Sequence, residues 1–290
     1  MTLTPAQTAR TAYETLEPYH VVAYFNPAIH VAAAELGLDG HAFYVGARGA
    51  PLGECAAAVV AATFYNFSPA LIAVAWRNAV AVGLAEIDDA RYTMLDEQYR
   101  AILGAIGPPV EEVARGLGRL VDELPLTGRP LAAAWAGTPV PDSPSLALWR
   151  HISVLREWRG DNHIAELIRH GLDGIDAGTF HEAGLPDDAG IRRRTLGRRF
   201  YQGTRGWSDG EWDASVDRLA ARGLVERVDG DAGHRLTADG LQLYREIEAG
   251  TDVVTGAAFA GPDAAALIER ARPVVKAVID AGILPGTKRR

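Results

Sequence analysis

Apolar positions in the second half of the chain change period along its length. In SDGEWDASVDRLAARG, Trp212, Val216, Leu219 and Ala220 fall on one face at helical spacing. Ser208 with Glu211 three residues on makes a capping-box start, and Gly223 supplies the stop. LVERV and HRL then read as two short strands around a DGDAG turn. Thr237 caps the next helix, LTADGLQLYREIEA, in which Leu241, Tyr244 and Ile247 share a face. The first half reads in the same order: helix, short strand, helix, helix, hairpin, helix. There AFYV is the expected strand, and SPALIAVAWRNAVAVG an almost wholly apolar helix that would be buried.

The two halves also share wording. GLDG occurs at Gly37–Gly40 and again at Gly171–Gly174, and Phe64-Tyr65 is answered by Phe200-Tyr201. Gly83-Leu84 is answered by Gly223-Leu224, and Tyr99-Arg100 by Tyr244-Arg245. Blocks repeated in one order point to an internal duplication. AGTPVPDSP, Ala136 to Pro144, has three prolines and few apolar residues, as a linker would. The expected domains are therefore 1–136, a degenerate winged-helix-like half, and 145–290, joined by a linker at 137–144. The expected fold class is mainly α with short β-hairpins, a tandem duplication of a winged-helix-like domain packed as a pseudo-dimer.

The stretch RLAARGLVERVDGDAGHRLTADG resembles the winged helix of MarR-type regulators. The chain as a whole, through HVVAYFNP, RGAPLG, FYNF and LREWRGDNH, is similar to an actinobacterial helix-turn-helix family. That second resemblance implies a fold and no particular activity.

Composition narrows the chemistry. The chain has 290 residues, 48% of them apolar and 23% charged, the balance of an ordinary globular protein. No run approaches eighteen apolar residues, and no basic segment precedes an apolar core at the N-terminus. These features predict a cytoplasmic protein without a membrane partner. Cys55 is the only cysteine, which excludes a disulfide framework and cysteine-based metal sites. Of 29 basic residues only Lys276 and Lys288 are lysine. A phosphate loop with its lysine is absent, a Schiff-base lysine is a poor prospect, and the sequence assigns no cofactor.

The net charge of −8 disfavours indiscriminate binding to phosphate backbones. The helix that would read DNA opens with Asp209, Glu211, Asp213 and Asp217 rather than with Arg, Lys, Asn or Gln. Against this, GIRRRTLGRRFYQGTRGW holds six arginines and no acid. Arg192, Arg193, Arg194, Arg198 and Arg199 are thus the DNA contacts of the alternative reading, and a solvated face balancing Glu182, Asp187 and Asp188 is the plainer one.

Three constellations can carry chemistry. His20 and Tyr24 are four apart in EPYHVVAYFNP, on one side of a short helix between Pro18 and Pro27. They can act as general base and hydrogen-bond donor, or simply bridge core and surface. WRHISVLREWRGDNH gathers His151, Arg156, Arg159, Asp161 and His163 on an apolar helix. This is either an arginine clamp for a carboxylate or phosphate with His163 as acid or base, or an ion-pair network in which Asp161 caps the next helix. Arg48 sits in GARGAPLG, which can form an anion-binding glycine loop or an ordinary tight turn. Asn66 of FYNF needs a polar partner if buried, while Phe64, Phe67 and Trp76 read as core. No histidine spacing predicts a metal site; His20, His151 and His163 are the first to test if the histidines converge in space.

The expected function is the binding of a small anionic organic molecule in a cleft between the halves. Arg48, Asn66, His151, Arg156, Arg159 and Asp161 would hold the ligand, and His20, Tyr24 and His163 would supply acid–base chemistry. The alternative is a MarR-like DNA-binding regulator.

Overall fold

A computed structural model describes residues 3–104, 107–193, 195–229 and 233–287. In chain order the elements are α1 (Pro5–His20), α2 (Val22–Phe25), α3 (Ile29–Glu35), α4 (Gly40–Gly49), α5 (Ala57–Thr63), α6 (Pro69–Val82), α7 (Leu84–Leu103) and α8 (Gly107–Asp122). There follow α9 (Pro130–Ala136), α10 (Pro144–Arg169), α11 (Gly174–Glu182), α12 (Arg198–Arg205), α13 (Asp209–Ala221), β1 (Val225–Arg227), β2 (His234–Leu236), α14 (Ala238–Thr255) and α15 (Ala264–Asp280). The protein is mainly helical, and among the described residues β1 and β2 form the only sheet. No single helix there is long and apolar enough to cross a membrane.

The chain divides into two compact units that interleave in sequence. Unit 1 comprises Met1–Cys55, Ala75–Asn162 and Asp252–Arg290, and unit 2 comprises Ala56–Val74 and His163–Thr251. The proline-rich segment at 137–144, drawn above as a linker, lies inside unit 1.

Unit 1 begins with a true capping box, since the Thr4 hydroxyl accepts from the Gln7 amide and the Gln7 side chain accepts from the Thr4 amide. α1 packs on α15, and α15 on α8. α7 gathers α2, α3 and α4 around it. Trp135, Trp149 and Trp158 are buried. Two expectations are corrected here. AFYV is helical within α4 rather than a strand, and α7 is one 20-residue helix where the duplication predicts a hairpin. Period alone does not separate a short buried strand from a buried helical segment, and the apolar residues of both segments face other helices. The short helix expected between Pro18 and Pro27 is also different: α1 runs through Pro18 to His20, and only Val22–Phe25 follow as α2.

Unit 2 follows its sequence pattern closely. Trp212, Val216 and Leu219 of α13 are buried with Phe180 and Tyr201, against Val225 and Leu236 of the hairpin. The hairpin is antiparallel, with Val225 opposite Leu236 and Arg227 opposite His234. Gly184 adds one parallel bridge on the far side of β2: its N–H donates to the His234 carbonyl, and its own carbonyl accepts from the Leu236 amide, each at 2.9 Å. α12 ends on Gly206 in the left-handed region (φ 76°), whereupon Ser208 and Glu211 cap α13. Two helices are therefore joined by a three-residue turn. The wing turn at 230–232 and Arg194 lie outside the described residues.

The repeated GLDG has one local geometry in both places. Gly37 and Gly171 take positive φ, and Asp39 and Asp173 cap α4 and α11 through their side chains. The likeness ends at the second block, where Phe64-Tyr65 follow the end of α5 while Phe200-Tyr201 lie within α12; at the third, Gly83 opens the long α7 while Gly223 leads into the hairpin.

Gly206 supports a direct test of the helix–turn–helix. A methyl group there would meet the Leu71 Cβ at 2.7 Å in addition to the positive φ. Gly206→Ala is expected to lose about 1–3 kcal/mol of unfolding free energy in urea titrations. A change within 0.5 kcal/mol would mean that this turn is not as tight as described.

Candidate cleft in unit 1

α1 ends on His20 and α2 begins two residues later, so His20 and Tyr24 remain one helical turn apart. Their side chains meet: His20 Nε2 lies 2.9 Å from the Tyr24 hydroxyl, and His20 Nδ1 lies 3.0 Å from Ser153 Oγ on α10. The directions of these bonds follow from the far end. Ser153 gives its proton to the Trp149 carbonyl four residues back, at 2.8 Å. Its oxygen therefore accepts from His20 Nδ1–H, leaving Nε2 bare to accept the Tyr24 proton. The ring is further held by stacking on Trp149, at 5.8 Å and 4°. Burial pushes the His20 pKa well below its ordinary range, and the positive charges of Arg156, Arg48 and Arg91 push it the same way. Burial likewise raises the Tyr24 hydroxyl above its usual value. The pair is thus neutral as it stands.

An ion chain borders this pair. Arg48 grips Glu157 in a two-pronged bond at 2.9 and 2.7 Å, and Arg156 joins Glu157 at 3.4 Å to Glu17 at 3.2 Å. The Glu157 side chain is only 2% exposed, so its charge depends on these guanidinium groups. Burial alone would raise its pKa, yet the combined effect of Arg48 and Arg156 holds it below the usual carboxylate value. Arg91 of α7 is a third cation here and, unlike the other two, is buried. It bonds Asp88 and the Ala47 carbonyl, and its guanidinium lies over Trp135 and Trp149 at 4.7 and 5.0 Å. Its Nε has no hydrogen-bond partner.

These groups converge on one cleft. His20, Tyr24, Arg48 and Arg91 line it together with Tyr44, Phe43, Trp135 and Trp149, all within unit 1. Tyr24, Tyr44 and Arg48 are partly exposed at the mouth, while His20, Arg91 and both tryptophans are buried behind them. The space open to water centres is ≈ 20 Å³, about what one ordered water needs. A ligand enters only as mouth side chains give way, a common adjustment on binding.

The other residues singled out in the sequence lie elsewhere. Arg156 belongs to the ion chain and stands 5.8 Å over the Tyr24 ring. Arg159 pairs with Asp252 at 3.2 Å and lies over Tyr13. His151 is buried beside Arg150. Asn66 and His163 belong to unit 2, where His163 Nδ1 meets the Thr251 hydroxyl at 2.9 Å and the Asn66 carbonyl accepts from the Trp207 indole. Asp161 does not begin a helix, because α10 continues unbroken to Arg169; its carboxylate instead accepts the Ala132 amide of α9 at 2.9 Å. GARGAPLG is no glycine loop. Gly46 and Gly49 are in α4, where a Cβ would strike Ala79, Ile87 and Trp76 at 2.8 Å, so these glycines allow close helix packing. Arg91, Tyr44 and Ser153 escaped the sequence reading, since nothing local marks a residue of one helix as facing a cleft formed by others. Among the described residues no three metal-ligating side chains gather into a metal site.

Unit 2 presents the helix–turn–helix. The acids of α13 are engaged within the unit: Arg198 bonds Asp209 and Asp213 at 2.9 Å each, and Arg227 bonds Asp217 at 2.6 Å. Arg193 is turned inward, over the Tyr244 ring and onto the Ala183 carbonyl. Arg192 and Arg199 are exposed.

The fold and its paired helices define a class. A family model described as a helix-turn-helix family matches residues 9–285, and the chain belongs to that family. No curated protein and no solved structure matches it.

Asp161 gives the unit a measurable pH response. Burial raises its pKa to about 6, above the unfolded value near 3.9. The folded state therefore keeps the proton longer, and this contribution to stability falls as pH rises from about 4 through 6. His20 and His151 act in the opposite sense, their buried neutral rings costing stability as pH falls below about 6.5. Asp161→Asn keeps an oxygen for the Ala132 amide and leaves both histidines in place. Between pH 4 and pH 7 the variant should gain on the order of 2–3 kcal/mol relative to wild type in urea unfolding. Parallel pH curves would show that Asp161 stays charged throughout.

Proposed function

We propose that the chain is a small-molecule-binding member of the helix-turn-helix family that takes an organic anion into the cleft of unit 1. The observation that carries this reading is the convergence of Arg48 and Arg91 with the His20–Tyr24 pair among aromatic walls, a few polar groups in an otherwise apolar recess. Burial first, and then the positive charges of Arg156, Arg48 and Arg91, depress the basicity of His20, and those charges favour an anion nearby. An incoming negative charge offsets the electrostatic part of this effect and raises the basicity of His20. The pair then has the means for acid–base chemistry on the bound molecule. His163 and Asn66, which belong to unit 2, have no part in this reading.

Trp135 and Trp149 line the cleft, so intrinsic fluorescence reports on it. Millimolar acetate or propionate should quench it saturably at constant ionic strength. Arg48→Gln leaves buried Glu157 with only the longer bond from Arg156, so it is compared with the double variant Arg48→Gln/Glu157→Gln, which removes both charges. Arg48→Gln should weaken carboxylate binding by about tenfold or more, and the double variant by less, since it removes a cation and an anion together. The absence of any saturable response in wild type would end this reading.

The alternative, a MarR-like regulator that binds DNA, is favoured by the α12–turn–α13 unit, the family match and the exposed Arg192 and Arg199. The acids of α13 weigh against it, because they would face phosphates. Duplex fragments titrated across a salt series decide the matter. Under the leading reading only weak, non-selective binding is expected, whereas sequence-selective affinity falling by about 10³-fold or more between 50 and 200 mM salt would establish the regulator.

A further inference from the structure

We infer that the ligand of the unit 1 cleft is a compact 2-hydroxy carboxylate, its carboxylate held by Arg91 and its hydroxyl donating to Tyr24. The inference rests on the reading of this cleft as an anion site and adds what that reading leaves open.

The hydroxyl follows from hydrogen-bond direction. The Trp149 carbonyl takes the Ser153 proton, Ser153 takes the Nδ1 proton of His20, and His20 Nε2 takes the proton of Tyr24. Tyr24 thus has no proton left for a ligand, and its oxygen offers the cleft only lone pairs. A carboxylate oxygen placed there would meet another acceptor. An O–H placed there completes a chain of four donors all pointing the same way, which each link strengthens. The ligand must therefore bring a donor of its own besides its negative charge.

The carboxylate follows from Arg91. Its charge is 3% exposed among Tyr92, Trp135 and Trp149, and its Nε–H is unpartnered where an unsatisfied buried donor is costly. Arg48 at the mouth already commits both prongs to Glu157. Arg91 spends its two Nη groups on Asp88 and the Ala47 carbonyl and keeps its Nε–H, so that one N–H is the donor with capacity to spare, and Arg48 supplies field rather than a direct bond.

Compactness follows from volume. With ≈ 20 Å³ open to water centres before side chains adjust, the cleft favours the smallest molecule that carries both groups. Acids of two or three carbons with the hydroxyl next to the carboxylate are the smallest of that kind.

Lactate and propionate have nearly the same size and charge and differ by this hydroxyl, so they are the probes. Affinities are read from tryptophan fluorescence and checked by ligand-observed saturation-transfer NMR. Wild type should bind lactate at least tenfold more tightly than propionate, because a site built around a hydroxyl rejects the analogue that lacks it. Tyr24→Phe keeps the ring and removes the acceptor, so the ratio should fall to about one through loss of lactate affinity alone. Arg91→Lys keeps the charge and removes Nε–H, and should weaken both ligands together.

The outcomes are separable. Saturable binding of both ligands with equal affinity overturns the hydroxy acid and leaves the anion cleft standing. No binding of either overturns both. A lactate preference that survives Tyr24→Phe overturns the assignment to Tyr24, and unchanged affinities in Arg91→Lys overturn the assignment to Arg91. Glycolate against acetate repeats the comparison in wild type, so the hydroxyl requirement is testable even if a variant does not fold.

Discussion

A carboxylate buried in the middle of a long helix sets the terms for unit 1. Glu157 of α10 is almost wholly removed from water, a position that an isolated charge cannot hold. It is held because Arg48 reaches it from α4 with two parallel bonds and Arg156 shares it with Glu17 of α1. Three helices distant in sequence are thereby tied at one point. The same requirement places Arg48 at the mouth of the cleft and Arg156 beside Tyr24, while Arg91 is held separately by Asp88 and the Ala47 carbonyl. Part of the electrostatic character of the cleft is thus the by-product of neutralising one buried acid.

The opposite economy governs unit 2. There the acids of α13 are exposed, or nearly so, and the arginines Arg198 and Arg227 come to them across the surface. Exposed pairs of this kind contribute little stability. Their larger effect is on the field: they cancel charge on the helix that a DNA-binding protein would keep basic. Buried pairs elsewhere in the unit are structural. Asp176 takes bonds from Ser215 and Arg218, locking α11 to α13, and Glu182 accepts the amides of Leu196 and Gly197 to fix the start of α12. The helix–turn–helix is therefore rigidly built while its outer surface is electrically balanced.

Legibility in the sequence tracks how local the determining interaction is. The capping box at Ser208, the stop at Gly223 and the Thr237 cap depend on residues within four or five positions and the hairpin on residues within eleven, and each stands where its pattern places it. The repeated GLDG also keeps its geometry, since a left-handed glycine followed by an aspartate cap is decided by four residues. By contrast AFYV, Asp161 and GARGAPLG took their states from partners far along the chain. Gly46 is helical and a glycine because Ala79 and Ile87 press on it, and Asp161 caps a helix twenty-nine residues before it rather than its own.

The sequence by itself determined the helical class, the paired helices and hairpin of unit 2, the lack of a disulfide framework and of a phosphate-loop motif, and the nearness of His20 to Tyr24, which one helical turn guarantees. Only the tertiary structure decided which arginines stand beside that pair. Arg48 and Arg91 are there because α4 and α7 pack together, while Arg159 and His163, equally suggestive on paper, are turned to Asp252 and Thr251. It also decided the units themselves, since compact cores form from whichever apolar faces meet, and here those faces come from interleaved stretches of the chain. Local spacing specifies which side of a helix a residue occupies; what that side faces is set by packing over the whole chain.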